Sequence, residues 1–186
     1  MQKKLSLEDS RPWVLIVFET LVQIAVVSVL GLFLAKYLFF SAVSFSKSME
    51  PTVKPDSVVF INRSAYALKE PERFDVVAFT RTDDRNADIL VRRIIGLPGD
   101  FVKISRGSVY INGELLDVSG HIAEITSDGI AESGVRLSDN EYFVLGDMPA
   151  NSEDSRSSTI GAVKRERIIG KAWISVSSWT EFRLIR

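Results

Sequence analysis

Three short stretches carry the residues with chemistry to offer. The first is Ser46-Lys47-Ser48-Met49-Glu50-Pro51-Thr52. A serine becomes a nucleophile when a neighbour takes its proton, and a backbone N–H or a second hydroxyl can meet the oxyanion that follows. The second, Asp88-Ile89-Leu90-Val91-Arg92-Arg93-Ile94-Ile95-Gly96-Leu97-Pro98-Gly99-Asp100, is an apolar strand running into a tight Gly-Leu-Pro-Gly-Asp turn. The third runs from Gly146-Asp147-Met148-Pro149-Ala150-Asn151 through Ser152-Glu153-Asp154-Ser155-Arg156-Ser157-Ser158. Each has a plain structural reading. Ser48 alone is a turn or cap residue, and the third stretch is a polar loop with Asx and serine turns. Position raises the interest of Ser48, because it lies on the first segment beyond a long apolar run.

That run, Trp13 to Phe40, is interrupted only by Glu19, Gln23 and Lys36 among its polar residues of note. Its last 20 residues, Leu21 to Phe40, suffice as a helix to cross a hydrocarbon core of about 30 Å. Glu19 and Lys36 lie where they can snorkel, and Trp13 and Tyr37 suit the two interfaces. A cleaved signal peptide would have a shorter apolar region ending in a small-x-small site. Ser41-Ala42-Val43-Ser44 could pass as one, but the length of the run favours an uncleaved anchor. Lys3, Lys4 and Arg11 before the span favour a cytoplasmic N-terminus. The expected organisation is a cytoplasmic tail (1–12), a transmembrane anchor (13–40) and an external domain (41–186).

Beyond the anchor the chain reads as strands: Ser57–Asn62, Asp75–Thr80, Ile89–Ile95, Phe101–Ser105, Ser108–Ile111, Glu114–Asp117, Glu141–Leu145, Arg167–Val176 and Phe182–Ile185. Asn112-Gly113 between two of them signals a hairpin. The polar, Gly-containing segment Val118 to Ser138 reads as a surface excursion. The fold class is mainly β, with a single N-terminal transmembrane helix followed by one mostly antiparallel β domain. With 186 residues and a formal net charge of −1, the chain lacks the basic excess of a nucleic-acid binder. It has no cysteine and a single histidine, His121. Thiolate chemistry is excluded, and a His-based triad or metal site is difficult to build.

The three motifs in this order, after one N-terminal span, resemble the bacterial type I signal peptidases. Ser48-Met49-Glu50-Pro51-Thr52 is similar to the family's nucleophile box, and Asp56-Ser57-Val58-Val59 to the box after it. Arg92 through Asp100 resembles the box holding the general base, and Gly146 through Arg156 the last box. The short segment between Asp100 and Glu141 resembles the compact Gram-positive type. The resemblance implies a serine–lysine dyad acting on exported pre-proteins at a membrane, cutting after small residues at the first and third positions before the bond. It implies Ser48 as nucleophile, the Ser48 N–H and Ser46 hydroxyl as oxyanion donors, and Ser152 as the residue orienting the base. Asp154 and Arg156 match a buried pair supporting that loop. Phe45 and Met49 are candidates for contact with substrate, with core packing or lipid contact as alternatives, and an extended substrate would add to a sheet edge. No cofactor or metal is implied.

One position departs from the pattern. The base lysine is replaced by Arg92, and a guanidinium, unlike a buried lysine, keeps its proton. Three readings stay open: a homologue using another base, a homologue kept to bind exported polypeptides, or a deliberately inactivated variant. His121, Lys103 and Lys47 are the alternative bases. A self-cleaving repressor of the related serine–lysine fold is disfavoured by the membrane span and by the lack of a DNA-binding helix pair before the β domain.

Overall fold

The apolar run forms a helix, and the rest of the chain forms sheets. The computed structural model describes residues 13–44 (34–44 by backbone alone), 47–84, 87–178 and 181–185. Helix α1 spans Trp13–Leu38. The 21 residues Trp13–Phe33 are long and apolar enough to cross a membrane. Thr20 donates its hydroxyl to the Ile16 carbonyl at 2.8 Å, which satisfies the hydroxyl without water. The helix stops two residues short of the expected boundary at Phe40. Phe39 and Phe40 instead open strand β1 (Phe39–Ser44), paired antiparallel with β2 (Ser57–Asn62) from Phe39↔Asn62 to Ser44↔Ser57. Hydropathy cannot separate an apolar helix from an apolar strand that continues it. The side chains of Lys36 and Tyr37, assigned above to an interface, lie outside the described set.

The chain divides into two units, Met1–Tyr37 and Leu38–Arg186. The second contains the remaining strands: β3 (Val76–Thr80), β4 (Ile89–Gly96), β5 (Phe101–Ser105), β6 (Ser108–Ile111), β7 (Glu114–Leu115), β8 (Val135–Arg136), β9 (Glu141–Leu145), β10 (Val163–Lys164), β11 (Ile168–Ser178) and β12 (Glu181–Leu184). The larger sheet has the order β1-β2-β11-β3-β4-β9-β10, with β12 also on β11; the smaller has the order β7-β6-β5-β8. Every described pairing is antiparallel. Asn112 and Gly113 both take positive φ, 54° and 91°, at the β6–β7 turn, as a type I′ hairpin requires. The strands the sequence misses besides β1 are β8 and β10. Two residues each are too few for alternation to register.

Strand β4 is the element that matters most for the site. Its neighbours are β3, through Val76↔Arg93 and Val77↔Arg92, and β9, through Arg93↔Leu145. Side chains alternate faces along a strand. Val91 packs with Met49, Val53 and Val76 on one side, and Ile94 with Val77, Phe79 and Tyr142 on the other. Arg93 therefore leaves the sheet with Val91, and Arg92 with Ile94.

The segment Val118 to Ser138 is more than a surface excursion. Ile122, Ile125, Ala131 and Leu137 are buried against Val102, Ile104 and Val109 of the smaller sheet. Their irregular spacing among polar residues conceals this from a periodicity reading. Leu137→Ala is expected to lower unfolding free energy by about 2–5 kcal/mol, measured by urea denaturation of the detergent-solubilised chain; a loss below about 1 kcal/mol would restore the surface reading.

Candidate active site

Ser48 lies in a 3-10 turn, Lys47–Met49, and is 1% exposed. The turn is fixed from both sides. Met49 carries no exposed surface and packs into the core with Val53, Val76 and Val91. Met49 therefore anchors the Ser48 turn from within, so of the readings open to it, core packing holds and substrate contact does not. Its carbonyl accepts from the Val53 N–H at 2.8 Å, and the Ser48 carbonyl accepts from the Met148 N–H at 2.9 Å. The Glu50–Pro51 peptide is cis. Phe45 and Ser46, candidates for substrate contact and oxyanion donation, lie outside the described residues.

Four residues beyond Ser48, Thr52 joins a network that the sequence does not reveal. Arg93 and Asp147, 1% and 0% exposed at the side chain, form a two-pronged pair. Arg93 Nε donates to Asp147 Oδ1 at 2.9 Å and Nη2 to Oδ2 at 2.7 Å. The same guanidinium donates to the Phe74 carbonyl at 2.9 Å and to Thr52 Oγ1 at 3.2 Å, while the Thr52 hydroxyl donates to Asp147. The network ties β4, the loop after β9 and the segment after Ser48 together around a buried ion pair. The available signal was the Arg-Arg pair itself. In a strand buried on both faces, both cations need partners.

The loop from Gly146 to Arg156 closes the other side. Asp154 accepts from Arg156 Nε at 2.9 Å and Nη2 at 3.0 Å, and from the Gly146 N–H at 3.1 Å. Arg156 in turn donates to the carbonyls of Pro149 at 2.7 Å and Ser127 at 3.0 Å, so this buried pair also fastens the 118–138 segment. Gly146 has no room for a side chain. A Cβ there would lie 2.7 Å from the Ser48 carbonyl oxygen, 2.6 Å from Ser152 Cβ, and in contact with the Ser152 hydroxyl. Ser48 and Ser152 thus meet across a bare α-carbon, and the Ser152 hydroxyl is buried without a hydrogen-bond partner among the described residues.

Arg92 reaches the same loop. It is 4% exposed. Its Nε donates to the Glu153 carbonyl at 2.9 Å and its Nη1 to the Val91 carbonyl at 2.6 Å. Burial pushes its pKa down to about 10, against the opposing attraction of Asp154 and Glu153. That value leaves the group cationic through the neutral range. The Glu153 carboxylate is itself taken up by Arg81 at 2.6 Å and Thr159 at 3.0 Å, and the Arg81 bond holds it below the usual carboxylate range.

None of the alternative bases is brought to Ser48 by a described contact. His121 stacks on Phe74, ring centroids 4.9 Å apart. Lys103 points outward from β5, and Lys47 is exposed beside the turn. Among the described residues no cluster of His, Cys, Asp and Glu could hold a metal ion.

The family model described as signal peptidase, peptidase S26, matches residues 17–179. A probable signal peptidase I-2 of Synechocystis sp. is 41% identical over 134 residues, 69% of this chain and 59% of its own length. Signal peptidase I S of Bacillus subtilis is 32% identical over 168 residues, 86% of this chain and 89% of its own. A crystal structure of a signal peptidase I from Enterococcus faecalis V583 aligns at 32% identity over 56% of this chain and 97% of that one, with a TM-score of 0.42. The chain thus spans under two thirds of the Synechocystis protein and nearly all of the Bacillus one.

Removing one member of the Arg93–Asp147 pair strands the other charge in the interior. Asp147→Ala is expected to destabilise the chain by about 3–5 kcal/mol, read as a fall in thermal midpoint. The double change Arg93→Met with Asp147→Leu is expected to recover most of that loss, which a simple packing defect would not.

Proposed function

The chain belongs to the signal peptidases of the peptidase S26 family, and from that premise we propose that it is a membrane-anchored serine endopeptidase for exported pre-proteins, its turnover held low by Arg92. In this reading α1 is the anchor in the plasma membrane, the N-terminus is cytoplasmic and the β unit lies outside. The positive charges before the span support that orientation. Ser48 attacks the bond joining the signal peptide to the mature protein. The Ser48 N–H and the Ser46 hydroxyl receive the oxyanion, and Ser152 orients the group at position 92.

The single observation that carries the proposal is the approach of the Ser48 main-chain carbonyl and the Ser152 side chain to the bare Gly146, with Arg92 bonded to the carbonyl of the residue that follows Ser152. Nucleophile, orienting hydroxyl and base position are then parts of one arrangement, as a coupled unit requires. The chemistry stops at the proton. A guanidinium titrating near 10 is a poor acceptor at neutral pH, and loss of general-base assistance costs about 10²–10⁴-fold in rate. Arg92 still keeps a positive charge against the loop that carries Ser152. A second reading, a non-catalytic binder of exported polypeptides, rests on the same arginine.

Arg92→Lys, assayed in detergent on a synthetic signal-peptide substrate, is expected to raise turnover by about 10²-fold or more. It is also expected to add a rising alkaline limb to the pH–rate profile between pH 6 and 9, where the unaltered chain shows none from this group. The gain is expected to vanish when Ser48→Ala is added. Rapid cutting by the unaltered chain, with no change on Arg92→Lys, would move the base elsewhere. Cleavage that survives Ser48→Ala would remove the nucleophile assignment.

A further inference from the structure

The residues that follow Ser48 are gripped from two directions. On one, Thr52 joins the buried Arg93–Asp147 pair. On the other lies β12 (Glu181–Leu184), beyond residue 179 where the family match ends. It pairs antiparallel with the end of β11, from Ile174↔Leu184 to Ser178↔Glu181. Alternate residues of a strand leave it on the same face, and here the odd-numbered ones meet the segment after Ser48. Glu181 accepts from Lys54 Nζ at 2.5 Å and from the Ser177 hydroxyl at 2.7 Å. Arg183 donates through Nη1 to the Pro51 carbonyl. Ile185, just past the strand, is buried in the core cluster that contains Met49 and Val53, and its N–H donates to the Trp173 carbonyl at 2.9 Å. The even-numbered Phe182 and Leu184 belong to the opposite face and are 68% and 52% exposed. The Lys54–Glu181 pair is half exposed at both ends and adds little to stability. What the three attachments share is their target, the six residues from Met49 to Lys54.

We propose that Glu181, Arg183 and Ile185 are positioning residues for Ser48. Strand β12 clasps the segment Met49–Lys54, and the clasp keeps the Lys47–Met49 turn in the orientation from which its hydroxyl attacks. This role rests on the functional reading above, in which Ser48 is the nucleophile. The three residues act through other groups: through Lys54, through the Pro51 carbonyl and through the packing of Met49 and Val53. A misplacement of about 1 Å, introduced away from the chemistry, can cost about 10²-fold in rate. A clasp that contributes little to global stability can therefore govern turnover. Arg183 is the most direct member, because it bonds the main chain three residues beyond Ser48.

The test separates local positioning from general stability in the full chain in detergent. Hydrogen exchange is followed by mass spectrometry in the peptide spanning Met49–Lys54, where the Val53 N–H donates to the Met49 carbonyl. Arg183→Ala and Ile185→Ala are compared with the opposite-face variants Phe182→Ala and Leu184→Ala. The first two are expected to speed exchange in that peptide by about tenfold or more, while the β4 peptide Ile89–Gly96 stays protected. The opposite-face variants are expected to change neither. Turnover on a synthetic signal-peptide substrate is then measured in chains that also carry Arg92→Lys. Arg183→Ala is expected to lower kcat about tenfold or more with KM within about twofold. Arg183→Lys, which can still donate to the Pro51 carbonyl, is expected to recover most of the loss. Unchanged exchange at Met49–Lys54 in Arg183→Ala and Ile185→Ala would overturn the proposal without any activity measurement. An equal rise in the opposite-face variants, or equal loosening of β4, would overturn it too, since the hairpin would then serve only the fold. If Arg92→Lys cleaves and Arg183→Ala leaves kcat unchanged, this inference falls alone. If Arg92→Lys does not cleave, the peptidase reading falls and takes the catalytic role of the clasp with it.

Discussion

Alternation along a single strand governs the site. Two arginines are adjacent on β4, and because neighbouring side chains leave a strand on opposite faces, one chain segment delivers a cation to each side of the sheet. Arg93 enters the side where Met49 and Val53 seat the Ser48 turn, and Asp147 neutralises it there. Arg92 enters the other, under the 146–156 loop, and meets carbonyls only. A slip of one residue in the β3–β4 register would exchange the two. The position of Ser48 therefore depends on pairing far from Ser48, through Thr52 and the Met148 N–H.

The loop after β9 works by crowding. Gly146 is bare because the Ser48 carbonyl and the Ser152 side chain occupy the space a Cβ would need. Asp154 then holds the Gly146 N–H and the Arg156 guanidinium together, and Arg156 reaches across to Ser127. In this way the 118–138 segment, which by composition reads as a surface excursion, supports the loop as well as covering the smaller sheet. What the site needs from these elements is rigidity: a hydroxyl held within reach of a carbonyl gains its advantage from being unable to turn away.

Much of this was legible beforehand, for identifiable reasons. Val-, Ile- and Phe-rich runs bounded by Gly, Pro and Asn mark β2, β5, β6 and β9 with the bounds observed, because half-buried strands write their period into the sequence. Asn112-Gly113 marks its hairpin because few other residues accept two positive φ values in succession. The motifs around Ser48, Arg92 and Ser152 stood out through resemblance more than through composition. What escaped was long-range. Nothing local says that Asp147 pairs with Arg93, or that Met49 turns inward while its neighbour Ser48 forms the site, or that Phe39 and Phe40 leave the helix for a partner strand. Each is set by which segments meet, and meeting is not written in spacing.

In the proposed peptidase the proton affinity of the group at position 92 limits turnover. The most direct measurement removes that group and supplies a base from solution. Arg92→Ala would be assayed with added primary amines of graded pKa, and separately with methylguanidine. The cleavage rate is expected to grow with the concentration of neutral amine and to track the pKa of each amine, with no comparable gain from methylguanidine. Equal rescue by methylguanidine and amines would contradict it, since charge and shape rather than proton transfer would then be what the site lacks.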